Sequence, residues 1–259
     1  MRKIIDYMKR VPFIIFIFVL VTCLFILFAL YKYWTNFGTL PISQSVEKWG
    51  QFGDYIGGVL NPGLSFLSII LVCFTLYTTS KQSMTQSFES VLFELLRYHK
   101  EHLSNIKTFY DNTSYKGVDA LEWYITEVKF NFLNLSNDEA LIKERMRSSI
   151  DLVYEEENFF SNTGHYFRNL YHIFKHIDEA SFLCEKERIK YAKLVRAQLS
   201  SIESGALMLN GLSTKGFKSK GYIEKYSLLQ GFTLSKSFKD ELKSAGAMNL
   251  YHQDAYGDK

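Results

Sequence analysis

The sequence predicts an all-α protein, an N-terminal two-helix transmembrane hairpin followed by a cytoplasmic helical bundle, and three observations carry that prediction. Two long stretches near the start hold no charged residue, and all three prolines, Pro12, Pro41 and Pro62, fall in the first quarter of the 259 residues. From Phe88 onward apolar residues recur at three- and four-residue steps. The uneven spread of apolar residues assigns 1–80 to the hairpin with a short periplasmic loop, 81–231 to the bundle and 232–259 to a C-terminal tail.

The first span comes from residues 11–31, where 21 consecutive positions carry no charge. At about 1.5 Å of rise per residue, a helix of that length covers the roughly 30 Å hydrocarbon core. A second uncharged stretch of 26 residues, 55–80, crosses with some tilt. Arg2, Lys3, Lys9 and Arg10 precede the first run as in a signal peptide, but the run is too long for a signal core. It ends in Tyr31, Lys32, Tyr33 and Trp34, not in a small-residue cleavage site. Those aromatics, with Trp49, Phe52 and Tyr55 ahead of the second run, read as belts at one bilayer face. The basic first ten residues are set against Lys32 and Lys48 in the connection, offset by Glu47 and Asp54, which places the N-terminus inside. Two crossings return the chain, so a multi-pass protein of the bacterial inner membrane with both termini cytoplasmic is expected.

Beyond the spans 24 Lys/Arg balance 24 Asp/Glu, which argues against a surface built mainly for nucleic acid. Cys23, Cys73 and Cys184 have neither disulfide-framework nor metal spacing, and no metal or cofactor is expected. Phe88, Leu92, Leu95, His99, Ile106 and Tyr110 mark one face of a helix over about 81–110, followed by a polar break at 112–116 and a second helix over 117–135. Ser136, Asn137, Asp138 and Glu139 give a start signal for a third helix carrying Leu141, Met146, Ile150 and Val153. Asn162, Thr163 and Gly164 separate it from a fourth over 166–182, 185–212 makes a fifth, and a short helix near 222–229 ends at Gly231. The last twenty or so residues lack periodicity and read as a frayed tail.

In the second span Gly58, Asn61, Ser65 and Ser68 share one face, continued by Val72, Thr75 and Thr79. Small and hydroxyl side chains let helix backbones approach, so this face should pack on protein, either the first span or another copy. Pro62 leaves a carbonyl of the preceding turn without its donor, as where a membrane helix bends or lines a cavity. Trp49 stands at the outer interface, and Asp54 nearly at membrane depth, where an N-cap role is favoured over a place in an ion pathway.

Further on, His165, Arg168, Asn169, His172 and His176 fall along one side of a helix. Such a cluster suits a ligand pocket, a metal site, a ribonuclease centre or a buried hydrogen-bonded network, and the network is favoured. Near His172 and His176 the acids reduce to Asp178 and Glu179, a poor metal set. A helical nuclease of the HEPN type shows Arg, a polar residue and then His after a short gap. Arg168 and Asn169 begin so, but Ile173, Phe174 and Lys175 stand at the expected places, which leaves Arg168 and His172 as catalytic candidates. Arg196, Gln198, Glu203 and Asn210 repeat the polar theme in the next helix, where Glu203 is expected to meet Arg168 or His165.

The outer-interface motif with Asp54, Asn61 and Pro62, then Gly164-His-Tyr-Phe-Arg-Asn-Leu-Tyr171, Arg196-Ala-Gln-Leu-Ser200, Asn210-Gly-Leu-Ser213 and Glu224-Lys-Tyr226, follow one another in order. Together they resemble the putative phage abortive infection protein family, of the AbiC-like kind, from about Trp49 to Tyr226. The resemblance implies a bacterial antiphage factor, toxic to the infected cell, of the two-span layout that serves as an effector in retrons and other defence systems. It hands over no catalytic residue. The expectation is an abortive infection effector whose cytoplasmic bundle senses infection or a partner and whose spans compromise the inner membrane. Its expected partners are the lipid bilayer, other copies in a homo-oligomer, and components of a defence system such as a retron complex. The alternatives are a membrane-tethered HEPN-like ribonuclease and a non-enzymatic scaffold.

Overall fold

The two apolar stretches form α1 (Arg2–Phe37) and the first part of α2 (Val46–Asn105), both long and apolar enough to cross a membrane. The structure, a computed structural model, describes residues 2–135, 142–156, 159–230 and 250–257. The start signal at Ser136, Asn137, Asp138 and Glu139, with Leu141 and Gly231, lies outside the described residues. Two units make up the fold, residues 1–86 and 87–259, and α2 gives 46–86 to the first and 87–105 to the second.

In the first unit α1 and α2 pack antiparallel. Phe18 meets Phe66 with ring centroids 6.2 Å apart, and Tyr33 meets Phe52 and Tyr55 at 5.1 Å each. The Tyr55 hydroxyl donates to the Ala29 carbonyl at 2.9 Å. The backbones come close at Gly63, where a Cβ would stand 3.2 Å from Ile26 Cδ1 and 3.6 Å from Thr22 Cγ2. Glycine there admits the neighbouring helix. Outward side chains such as Phe25, Phe28, Ile69 and Leu76 are exposed, an apolar band that lipid or another apolar surface has to cover.

The second unit begins with residues 87–105 of α2. The helix expected to reach residue 110 stops at Asn105, and β1 (Lys107–Tyr110) pairs antiparallel with β2 (Thr113–Lys116), Tyr110 opposite Thr113. Asp111 and Asn112 make the two-residue turn with φ of 44° and 62°. Positive φ at both positions is what a type I′ hairpin turn demands, and Asp and Asn tolerate it. Five helices follow in the order α3 (Val118–Asn134), α4 (Ile142–Glu156), α5 (Phe159–Glu179), α6 (Glu185–Arg196) and α7 (Ser201–Leu212), with the short α8 (Lys220–Lys225) after them.

α5 buries Thr163, Tyr166, Leu170, Ile173 and Ile177, spaced by three and four, and packs against α4, α6 and α8. The expected break at Asn162, Thr163 and Gly164 is absent, because the Thr163 hydroxyl donates back to Phe159 O at 2.8 Å and the Phe160 ring covers Gly164. α7 is buried from Glu203 to Leu212, packed by α3, α4 and α8. It is not continuous with α6 as expected. Ser200 starts it afresh, its hydroxyl accepting the Glu203 N–H at 3.2 Å while Glu203 Oε2 accepts the Ser200 N–H at 2.8 Å.

The end of the chain, expected to fray, docks where it is described. Tyr251 and Ala255 are buried, the Tyr251 hydroxyl donates to Met208 O at 2.7 Å, and the Leu229 N–H donates to Ala255 O at 3.0 Å. This contact depends on Gly211, where a Cβ would collide with the Tyr251 hydroxyl and come within 2.8 Å of Ile223 Cδ1. Gly211→Ala is therefore expected to destabilise the second unit by about 1–3 kcal/mol through overpacking, and Tyr251→Phe by about 1 kcal/mol through a lost hydrogen bond. Thermal unfolding of the detergent-solubilised protein measures both, and unchanged melting of the pair would refute the docked terminus.

Candidate functional site

A cleft of about 290 Å³ opens between α5 and the turn that follows α7. From α5 come Phe160, Gly164, Phe167, Arg168, Tyr171 and His172; Asn210 contributes from the last turn of α7, and Lys215, Gly216, Lys218 and Ser219 from the connection to α8. Arg168 and His172 stand one helical turn apart on the face of α5 opposite its buried stripe, and both are exposed. Three cations and no carboxylate line the cleft, so its field favours an anion. Among the described residues none of Arg168, Lys215 and Lys218 has a carboxylate partner, although the Lys215 ammonium lies 4.5 Å from the centre of the Phe160 ring.

Hydrogen bonds, most of them buried, hold this wall in place. The Tyr124 hydroxyl donates to Tyr154 Oη at 3.1 Å, and Tyr154 donates to Asn210 Oδ1 at 3.0 Å. The Ser213 hydroxyl donates to Asn210 O at 2.7 Å and accepts the Gly216 N–H at 2.9 Å. Asp151 grips the next residue, its two carboxylate oxygens accepting the Thr214 N–H at 3.3 Å and the Thr214 hydroxyl at 2.9 Å. A Cβ at Gly216 would run into Asn210, so the turn is drawn tightly over the end of α7. Burial, with the nearby Asp151 charge, pushes the Tyr154 hydroxyl far above the ordinary tyrosine range, and it stays a neutral donor.

Glu203 does not meet Arg168 or His165. Its Oε1 accepts from His99 Nε2 at 3.0 Å and from the Tyr166 hydroxyl at 3.2 Å, deep in the bundle. Asn169 donates to Leu95 O at 2.9 Å, and His165 stands beside His102 with ring centroids 6.1 Å apart. His176 stacks on Phe88 at 4.6 Å and meets its carbonyl. Arg196 donates to Ser227 O at 3.0 Å, whereas Gln198 is exposed in the turn between α6 and α7. Of the recognition residues read from sequence, Arg168 and Asn210 thus meet at the cleft, joined there by the catalytic candidate His172, and Glu203 serves the interior. Lys215 and Lys218 were not singled out, and His99 was read only as part of an apolar face. The run Asn210-Gly-Leu-Ser-Thr-Lys-Gly216 was the available sign of a turn presenting a cation.

In the first unit Gly58, Asn61, Ser65 and Ser68 are exposed, on the side of α2 turned away from α1, while Phe52, Ile56, Gly63, Leu67 and Ile70 are half-buried on the other. Pro62 is also exposed within the helix. Trp49 fastens the start of α2, its ring N–H donating to Ser43 O at 2.8 Å. Asp54 is no N-cap, because α2 already begins at Val46, two turns earlier. Among the described residues no group of three or more His, Cys, Asp or Glu has metal-site geometry.

Glu203 gives the bundle interior a pH signature. Burial alone raises its pKa, but the hydrogen bonds from His99 and Ser200 outweigh burial and hold it below the ordinary 4.5. A carboxylate with a lowered folded-state pKa stabilises the fold above the unfolded value, and that contribution disappears as pH falls through the folded one. Glu203→Gln should therefore cost about 1–3 kcal/mol near neutral pH and progressively less below pH 4.5. Denaturant melts of both proteins from pH 3 to 7 measure this, and a gap independent of pH would refute an ionised Glu203.

A family model described as "Putative phage abortive infection protein" matches residues 159–236. No curated protein and no solved structure matches the chain. Every residue lining the cleft falls inside the matched stretch, which begins further along than the likeness traced from Trp49. Over residues 159–236 this chain is thus similar to the putative phage abortive infection proteins, the likeness that the motifs from Gly164 to Tyr226 implied, whereas the motif around Asp54, Asn61 and Pro62 lies outside the match.

Proposed function

We propose that the protein is a membrane-embedded antiphage effector, whose second unit receives an infection signal or a partner in the cytoplasm and whose spans assemble with other copies to breach the inner membrane. The observation that carries this reading is Asn61. Its carboxamide lies on the free side of α2 and, among the described residues, makes no hydrogen bond. A carboxamide at membrane depth without a partner is costly, and another copy presenting the same face supplies one. The hydroxyls of Ser68 and Thr75 donate to carbonyls of their own helix, Leu64 O and Leu71 O, each at 2.9 Å. Their polarity is met within one hairpin, while their small size keeps the face open to close packing.

Ser65→Leu with Ser68→Leu should leave the protein inserted while abolishing crosslinked oligomers, membrane depolarisation during infection and phage protection. Retention of all three would remove this face from the mechanism. Reporter fusions at the N-terminus and after Lys81 should both read cytoplasm, since the basic flank precedes the first span. A periplasmic reading after Lys81 would sink intracellular sensing.

A ribonuclease reading is favoured by the shared opening of Arg168 and His172 on one cationic cleft. His172→Gln keeps hydrogen bonding but cannot take up and release a proton near neutral pH. A milder loss of protection than that of Arg168→Lys is the expected result; abolition by His172→Gln of both protection and an RNA cleavage signal, at normal expression, would establish the nuclease instead.

A further inference from the structure

We infer that the cleft between α5 and the turn after α7 is a binding site for a nucleoside phosphate. Arg168, Lys215 and Lys218 reach it from two separate segments, and among the described residues none is neutralised by a carboxylate. The acid close in the fold, Asp151, already takes the Thr214 N–H and hydroxyl on its two oxygens. Three like charges sharing one opening repel one another, and a phosphate relieves that repulsion. Arg168 offers the planar fork that fits phosphate oxygens two at a time, and the lysines add mobile point charges.

The remainder of the lining asks for more than a bare anion. At about 290 Å³ the cleft stands at the small end of small-molecule sites, room enough for a nucleoside beside its phosphate. Its walls are aromatic: half-buried Tyr171 and Phe160, exposed His172, and Phe167 at the floor. A planar base stacks on such rings, and Asn210 Nδ2, beside Gly216, is an amide donor for its edge or for the sugar. The hydrogen bonds through Asn210, Ser213 and Thr214 set the wall before any ligand arrives, so binding orders little.

This inference rests on the reading that the second unit receives the infection signal, and it names the chemistry of that signal. The full-length protein in detergent is titrated calorimetrically with the four ribonucleoside triphosphates, with inorganic pyrophosphate, with adenosine and with a short single-stranded RNA. At least one triphosphate should bind at least tenfold more tightly than either pyrophosphate or adenosine. Lys215→Glu with Lys218→Glu, two exposed side chains whose change should leave melting unaltered, should weaken that binding at least tenfold; should the pair melt early, Arg168→Lys carries the same expectation. Four results would each overturn the site: no triphosphate binding, equal binding by the variants, pyrophosphate binding as tight as any nucleotide, or RNA outcompeting every triphosphate. Loss of binding with full phage protection would sink the site and leave the effector reading. Tight, variant-sensitive binding by a chain that never protects cells would do the reverse.

Discussion

A carboxylate taken out of water must be given donors, and much of the second unit is arranged around meeting that requirement for Glu203. Its three donors come from three places: His99 on the last turns of α2, Tyr166 on α5 and the Ser200 N–H at the start of α7. None can move far without leaving a buried charge unpaired, a loss of about 3–5 kcal/mol. The same residue serves as the third position of the helix it caps, so one side chain sets where α7 begins and which elements flank it. With that start fixed, the ten buried residues that follow are in register, and Asn210 arrives at the end of the helix where Tyr154 and Ser213 hold it.

What the sequence made legible is what repeats. Two uncharged runs and the three- and four-residue spacing in α3, α4 and α5 specify helices whatever packs against them, since each rests on a period. The turns depended on single residues, and several went the other way. Asp111 and Asn112 terminate the pattern that ran through Ile106 and Tyr110, because two adjacent positive-φ residues close a hairpin where helical spacing alone continues a helix. Ser200 and Glu203 carry a capping signature inside a stretch whose apolar spacing runs past it, and the local hydrogen bonds prevail. Arg168, His172 and Asn210 were legible as polar residues of consequence, but their meeting with Lys215 and Lys218 depends on how the turn folds over α7, which no spacing encodes.

The first unit exposes a surface suited to a different solvent. In water the exposed phenylalanines and leucines of α1 and α2 would drive collapse, whereas in lipid they cost nothing and the few polar groups decide the contacts. Gly63 and Asn61 divide that work on two sides of one helix: the glycine lets α1 approach, and the asparagine faces away from it. Spacing alone put Asn61, Ser65 and Ser68 on a single face but left open which neighbour it served. The half-burial of Phe52, Ile56 and Gly63 on the opposite side settles that α1 is not the neighbour.

The polar groups of the second unit fall into two sets that differ in burial, and the difference separates those that hold the fold from those on which the proposed site rests. Glu203, His99 and Asn210 are buried, and each hydrogen bonds across elements, so changing them perturbs folding first. Arg168, His172, Lys215 and Lys218 are exposed around the cleft, where substitutions away from packed contacts usually shift stability by less than about 0.5 kcal/mol. Lys215 lies over the Phe160 ring, but Arg168 and Lys218 make no hydrogen bond or ion pair among the described residues and stand with it at one opening, the placement on which the proposed anion site rests. Arg168 is carried by α5, whereas Lys215 and Lys218 lie on and beside the turn that hydrogen bonds through Asn210, Ser213 and Asp151 hold over the end of α7, so these bonds supply the geometry and the exposed set supplies the charge.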